Sequence, residues 1–390
     1  MAFQPQEKQA LGLITSLYLV RMLGLFMVLP ILTLYGMELS RSTPFMLGLA
    51  LGVYGLTQAI FQIPFGWASD RFGRKPLLLL GFSIFVLGSF VCAYASSVEM
   101  LIVGRAIQGA GAVSGVLLAL LADSTSPENR TISMAVIGIS IGLSFGISVV
   151  MGPVIASYFK LYGVFIFAAI LGGIALAIAS LKLKEPEASE VSGARERKVP
   201  ALKQTLLNFQ LFRLDLSIFS LHFLQMCIWV AVPGVLITEL GFNLDSHWMV
   251  YLIAVGGGFI LMAPFMRFWD KRKKTSISIR VAIVAIFLSV LSMSQVDQYH
   301  FFLLGLVLFF WGFNLLEATL PSTLTKVAEP SAKGTATGVY STCQFAGVFF
   351  GGVAGGWMMS SYGAVQVFYF SGAICVLWLL LMLAKRLPEV

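Results

Sequence analysis

Apolar residues run along this chain in blocks of about twenty or more, broken by short polar stretches. A helix rises 1.5 Å per residue, so about 20 apolar residues carry it across the roughly 30 Å of hydrocarbon in a bilayer. The blocks predict twelve membrane-spanning helices, over residues 11–37, 45–69, 77–96, 100–122, 131–158, 163–183, 209–240, 247–268, 277–295, 300–325, 335–360 and 365–385. The first block continues through Arg21 for too long to be a cleaved signal, and no small-residue cleavage site follows a short apolar core. It reads as the first span.

Composition agrees. Of 390 residues, 58% are hydrophobic and only 11% charged, with 38 Gly, 14 Pro and a mean hydropathy of +0.89, whereas a soluble domain has about a quarter of its residues charged. The fold class is an all-α polytopic membrane protein. Of the 26 Lys and Arg, Arg21 and Arg105 fall within spans, and Arg41 and Lys160 in loops on the far side. The other 22 share one face, which by the positive-inside rule is cytoplasmic and holds both termini. The net charge of +8 reads as a topology signal and an attraction for anionic lipid, with no call for a nucleic-acid partner. Cys92, Cys227, Cys343 and Cys375 lie in apolar blocks without a CxxC pair or nearby His, which predicts packing cysteines and neither metal nor cofactor.

The polar stretch from Lys182 to Gln204 divides the chain nearly in half and predicts a bundle over 1–184, a cytoplasmic central loop over 185–205 and a second bundle over 206–390. If the halves are copies, breakers and charges must recur at a fixed offset. Pro64-Phe65 followed by Asp70, Arg71 and Arg74 is matched 200 residues later by Pro264-Phe265 followed by Asp270, Lys271 and Lys274. Pro30 and Pro233, Pro127 and Pro330, and Arg130 and Lys333 repeat at an offset of 203. Two six-helix bundles related by pseudo-two-fold symmetry are expected.

The stretch "GWASDRFGRKP", Gly66 to Pro76, concentrates one acid and three bases in an otherwise apolar chain. Gly66 and Gly73 permit close backbone approach and a tight turn; Asp70 ends span two and Arg74 opens span three. Spans two and four end on one face, which brings Asp123 of "LLADSTSPENR" within reach of Arg74, and an Arg–carboxylate pair is directional. The expectation is a conformational latch of Gly66, Asp70, Arg71, Gly73, Arg74 and Asp123, with Asp70 capping the N-terminus of a helix from the other half near Gly334 to Gly338. The plain alternative is that Arg71, Arg74 and Lys75 only mark topology.

This loop resembles the signature of the major facilitator superfamily, G-x-L-A-D-R-x-G-R-K, with Ala68 at the usual Leu. The resemblance covers the whole chain. It is strongest to the bacterial proton-linked drug-efflux branch, through "SLYLVRMLGLFMVLPIL", "GLTQAIFQIPFG" and "FNLLEATLPS". Members sharing these segments carry a soluble domain after the last span, and the resemblance here ends with the twelve spans. It implies an inner-membrane transporter, working as a monomer, whose spans one, four, seven and ten line a central cavity.

Charge at mid-bilayer costs about 2.5–3.5 kcal/mol even on the lenient insertion scale, so buried ionisable residues mark function by default. Arg21, Arg105, His222 and Glu317 are the candidates. Arg21, His222 and Glu317 each lie about 15 Å from the cytoplasmic helix ends. Glu317 is expected to bind the proton, with Arg21 or another cation as its changing partner; a static Arg21–Glu317 pair is the structural alternative. His222 is a second titrating candidate, or a satisfied packing residue. Arg105 opens "RAIQGAGA", similar to the superfamily's span-four signature, in which the Arg is linked with proton coupling. Span five, "GISIGLSFGISVVMGP", partly resembles the antiporter signature of efflux members, with Ala156-Ser157 where Gly-Gly is usual; its glycines and Pro153 predict tight contact and a bend at the seam between the halves. Tyr18, Gln58, Gln62, Gln108, Gln225, Trp229 and Asn314 are the candidate substrate contacts, in a lining with Met22, Phe26 and Met226 that suits hydrophobic or amphipathic ligands.

No GxxxxGK[ST] is present, so the driving force is an ion gradient. The leading reading is a proton-coupled antiporter exporting small amphipathic compounds; the alternatives are proton-coupled uptake of a nutrient and a non-transporting receptor. No HExxH, His-rich cluster or Ser–His–Asp arrangement supports an enzyme.

Overall fold

A computed structural model describes residues 3–183, 205–243, 246–270, 274–329 and 332–384. The central loop from residue 185 to 204, and Lys271 in the second copy of the charged loop, lie outside the described residues. The described chain is almost wholly helical: α1 Pro5–Phe26, α2 Leu32–Tyr35, α3 Pro44–Phe72, α4 Arg74–Ala93, α5 Val98–Ala110, α6 Val113–Asp123, α7 Pro127–Lys182, α8 Phe209–Thr238, α9 His247–Asp270, α10 Thr275–Met293, α11 Tyr299–Val327, α12 Lys333–Tyr362 and α13 Ala364–Leu383.

Ten helical stretches among the described residues are long and apolar enough to span a membrane, α5 and α6 counting as one. The 56-residue α7 is two spans, because Lys160 (φ 54°, ψ −156°) interrupts it. The glycine-rich α12 is as long as the others. Counted so, the twelve expected spans are all present, with three corrections. Span one begins six residues earlier than expected, at Pro5, and ends at Phe26; the chain then turns through Pro30 before α2. Span four is broken at Gly111 and Ala112, both near ψ 60°. Span five runs helically through Pro153, and the break falls at Lys160 instead.

Two compact units result: residues 1–42 with 53–196, and residues 43–52 with 197–390. In the first unit α1 packs against α7, and in the second α8 packs against α12. The two contacts are built alike. Ser144 Oγ donates to Leu19 O (3.2 Å) and Ser148 Oγ to Leu23 O (3.0 Å), while a Cβ on Gly152 would strike Met27 O. In the second unit Gly347 lies on Phe219 O, Gly351 on Phe223 O and Gly355 on Cys227 Cα. Each helix contributes every fourth residue, which keeps small residues on one face, so that two serine hydroxyls and a glycine meet the facing backbone in the first unit and three glycines do so in the second. The ladders are related by the offsets of 203 and 200 already found in the prolines and charges. The small residues of span five, expected at the seam between the halves, make their tight contact with span one of their own unit instead.

A second device repeats at the helix ends. Lys75 Nζ donates to Ser180 O and Leu183 O (both 2.8 Å), capping the last turn of α7. In the second unit Arg213 Nη2 (2.8 Å) and Arg280 Nε (3.2 Å) both donate to Met382 O at the end of α13. Cations at carbonyl ends satisfy orphan acceptors and complement the helix dipole. Long apolar side chains such as Ile60, Ile63, Leu181, Ile260 and Leu377 stay uncovered, as a hydrocarbon solvent permits.

Candidate functional site

The charged loop brings Arg74 and Asp123 together, the contact expected of spans two and four ending on one face. Gly73 takes φ 96°, which turns the chain between α3 and α4. Arg74 Nη1 then lies 2.6 Å from Asp70 Oδ1 and donates to Ser69 Oγ (2.6 Å), while Nε donates to Asp123 Oδ2 at 2.9 Å. One guanidinium therefore joins the ends of spans two, three and four. Asp70, expected to cap a helix of the other half, has Arg74 as its ion-pair partner here. Arg71 is exposed, its guanidinium near the rings of Trp67 (5.8 Å) and Phe72 (5.6 Å). Gly66 has nothing within 4 Å of where a Cβ would stand, so the close approach expected of it is absent in this structure. At the opposite loops, the two far-side bases pair with acids: Arg41 with Glu99 (3.6 Å) and Lys160 with Glu38 (2.7 Å).

Inside the first unit, Arg21 is 1% exposed and donates to Ser114 Oγ (2.7 Å), Tyr54 Oη (2.9 Å) and Gln58 Oε1 (3.0 Å). Gln58 passes the chain on to Gln62 (3.3 Å), and Tyr18 Oη donates to Ser114 O (2.6 Å). Arg105 donates to Gln108 Oε1 (2.8 Å) and lies 4.8 Å over the Tyr54 ring; Gln108 reaches Ser89 Oγ (2.7 Å). Tyr54 so receives both buried arginines, one at its hydroxyl and one at its π-face. Neutral dipoles surround Arg21, and no carboxylate pairs with it among the described ion pairs. Tyr18, Gln58 and Gln108, expected as substrate contacts, are enclosed in this network.

In the second unit α8 carries His222 and α11 carries Glu317. His222 Nδ1 lies 3.2 Å from Ile218 O, a carbonyl that only accepts, so Nδ1 carries the ring hydrogen. Nε2 faces Gln344 Nε2 of α12 at 2.9 Å and Glu317 Oε1 at 3.3 Å. The Glu317 oxygen is closed off and makes no hydrogen bond, although its side chain as a whole keeps 32% of its exposure. Glu317 thus has His222 of its own unit as its neighbour, and Arg21 has its partners in the first. Trp229, expected in the substrate lining, is 1% exposed and packs on Tyr251 (5.5 Å) and Phe310 (6.0 Å) as a core residue. Gln225 is buried, and Asn314 is buried with its amide nitrogen unpartnered.

The sequence reading passes over several buried charges. Glu7 accepts from Gln4 N (3.0 Å), Ser126 N (2.7 Å) and Asn129 Nδ2 (2.9 Å), so the start of α1 caps the start of α7. Arg213 and Asp215 open α8 and are buried, with Asp215 Oδ1 unpartnered. Their signal was present: an acid and a base among leucines in "FRLDLSIF", inside the predicted span.

Twelve spans in two like units, with a charged turn joining the ends of spans two to four, are the architecture of a membrane transporter. The chain belongs to the major facilitator superfamily, whose family model matches residues 14–352 and 214–390. It is 39% identical over 383 residues to the inner membrane transport protein YajR of Escherichia coli K12, covering 96% of this chain and 83% of that one. It is also 25% identical over 388 residues to multidrug resistance protein 1 of Bacillus subtilis 168, covering 96% of each. A solved D-xylose–proton symporter shares its fold with a TM-score of 0.78 at 15% identity, over 98% of both chains. A bacterial homologue of the lysosomal transporter Spinster does so with 0.76 at 13%, over 98% of this chain and 97% of that. The protein is a multi-pass membrane transporter for small-molecule substrates.

Proposed function

We propose that this transporter is a proton-coupled antiporter of a bacterial inner membrane, working as a monomer with both termini in the cytoplasm and exporting small hydrophobic or amphipathic compounds. The observation that carries the reading is the His222–Glu317 pair. With Nδ1 committed to Ile218, a neutral His222 turns its Nε2 lone pair toward Glu317 Oε1 at 3.3 Å. Two acceptors face each other when Glu317 is ionised, and a proton on either one turns that contact into a hydrogen bond. Gln344 amide rotation accommodates both states, since it offers a donor to bare Nε2 and an acceptor to Nε2–H. Alternating access that moves α11 or α12 relative to α8 changes this contact, and so ties proton binding to conformation.

The Asp70–Arg74–Asp123 cluster acts as a latch in this scheme, holding one conformation through charge-assisted bonds at the ends of three spans. Arg21 and Arg105, held by neutral groups, set the field of the first unit and support coupling from there. Export is favoured by the similarity to relatives named for drug resistance, including a 139-residue match at 33% identity to a class B tetracycline resistance protein of Escherichia coli, which covers about a third of each chain. The test is a compound screen in proteoliposomes that records internal pH. Compound flux driven by a proton gradient is expected to fall about a hundredfold in Glu317→Gln, with the variant still inserted; coupling equal to wild type overturns the assignment.

A further inference from the structure

We propose that the converging ends of α8, α10 and α13 form a site for the phosphate of an anionic phospholipid, held by Arg280 with the charge of Arg213 behind it. Arg213 Nη2 (2.8 Å) and Arg280 Nε (3.2 Å) donate to the same Met382 oxygen, near the C-terminus of α13. The two nitrogens are therefore no more than about 6 Å apart, and like charges at that separation repel. The first unit shows that capping a helix end needs less. There one lysine, Lys75, serves two carbonyls at the end of α7. Here two guanidinium groups serve one carbonyl, which carries no formal charge and only the partial negative end of a helix dipole.

No ion pair among the described residues includes either arginine. Arg213 is fully buried, its other described contacts are Gln210 Oε1 (3.4 Å) and the Phe209 ring (5.8 Å), and its Nε is closed off without a partner. Asp215 is two residues on, about 200° around α8, so the two side chains leave the helix in nearly opposite directions. A buried cation without a counter-anion is costly, which calls for negative charge from outside the chain. Arg280 is only part-buried, and its two Nη nitrogens enter no hydrogen bond among the described residues. That fork suits two oxygens of one phosphate. The surroundings favour a lipid as its source. The last turns of α13 leave Leu377, Leu380 and Leu383 uncovered at a spacing of three, an apolar track for acyl chains below the headgroup. Both arginines lie at the face on which the chain's bases gather, where a basic pocket between spans meets anionic headgroups.

The test titrates the full chain in detergent with phosphatidylglycerol or phosphatidylcholine and reads binding by native mass spectrometry. Wild type is expected to bind phosphatidylglycerol about tenfold more tightly than phosphatidylcholine, and Arg280→Gln to lose that preference. Arg213 still holds Met382 O in this variant, so its unfolding temperature without added lipid is expected to stay near wild type. Lys326→Gln, which removes an exposed base elsewhere in the same unit, is expected to keep the preference. An equal loss there, or an unchanged preference in Arg280→Gln, overturns the site. Inorganic phosphate separates the headgroup from the free ion: it is expected to leave phosphatidylglycerol bound, and full displacement overturns the lipid assignment. Photo-crosslinking of wild type with phosphatidylglycerol that carries a reactive group beside its phosphate depends on no variant. Adducts are expected on the first turns of α10 and the last turns of α13, and adducts confined to other helices overturn the proposal.

Discussion

Arg74 serves two carboxylates with different nitrogens, Nη1 toward Asp70 and Nε toward Asp123. A lysine keeps the charge but offers a single ammonium, so Arg74→Lys loses the fork that joins α3 to α6. Both carboxylates are more than a third exposed, and pairs of that kind contribute at most about 1 kcal/mol. Unfolding temperature in detergent is therefore expected to stay close to wild type while transport in vesicles falls; equal losses in both would reduce the cluster to a structural tie. Glu7→Gln is expected to do the reverse, lowering the unfolding temperature, because it removes the carboxylate that caps α7 through Ser126 and Asn129. These residues were not equally legible. Charge in an apolar chain announces itself, so the loop, Arg21, Arg105, His222 and Glu317 stood out. Glu7 and Lys75 bond largely to backbone groups, which every residue carries, and no pattern of letters marks such a partner.

At the level of elements, hydropathy located the spans, since length and apolarity are what a bilayer demands. It did not locate the interruptions. The break at Gly111 and Ala112 sits where Gly111 lies on Gly81 O of α4, and that close packing is a tertiary contact. The four-residue ladders give a sharper test. Gly351→Ala puts a methyl against Phe223 O and Cα, and overpacking against backbone costs about 1–3 kcal/mol. Gly334→Ala, with nothing within 4 Å, is expected to be neutral or slightly stabilising. Thermal unfolding of both variants checks the contrast. The substrate-lining expectation fared differently because polarity does not reveal whether a group is consumed by its neighbours. Tyr18, Gln58 and Gln108 are, whereas the Asn314 amide nitrogen is not.

For the molecule as a whole, the repeat seen in prolines and charges recurs in three dimensions as paired ladders and paired helix-end caps. The chain has no phosphate-cradling motif, so transport is expected to stop when a protonophore collapses the proton gradient and to be indifferent to nucleotide. Continued accumulation against a gradient under those conditions, measured in inverted vesicles, contradicts an ion-driven cycle. The ladders bear on how such a cycle can move. Where small residues meet the facing backbone every fourth position, a slide carries the whole row out of register, and the next equivalent fit lies about 6 Å further along the axis. Helix pairs α1 with α7 and α8 with α12 thus behave as stiff girders: they tilt as bodies, and the bending that a transport cycle requires is left to other joints, such as the unwound turn at Gly111 and the interruption at Lys160.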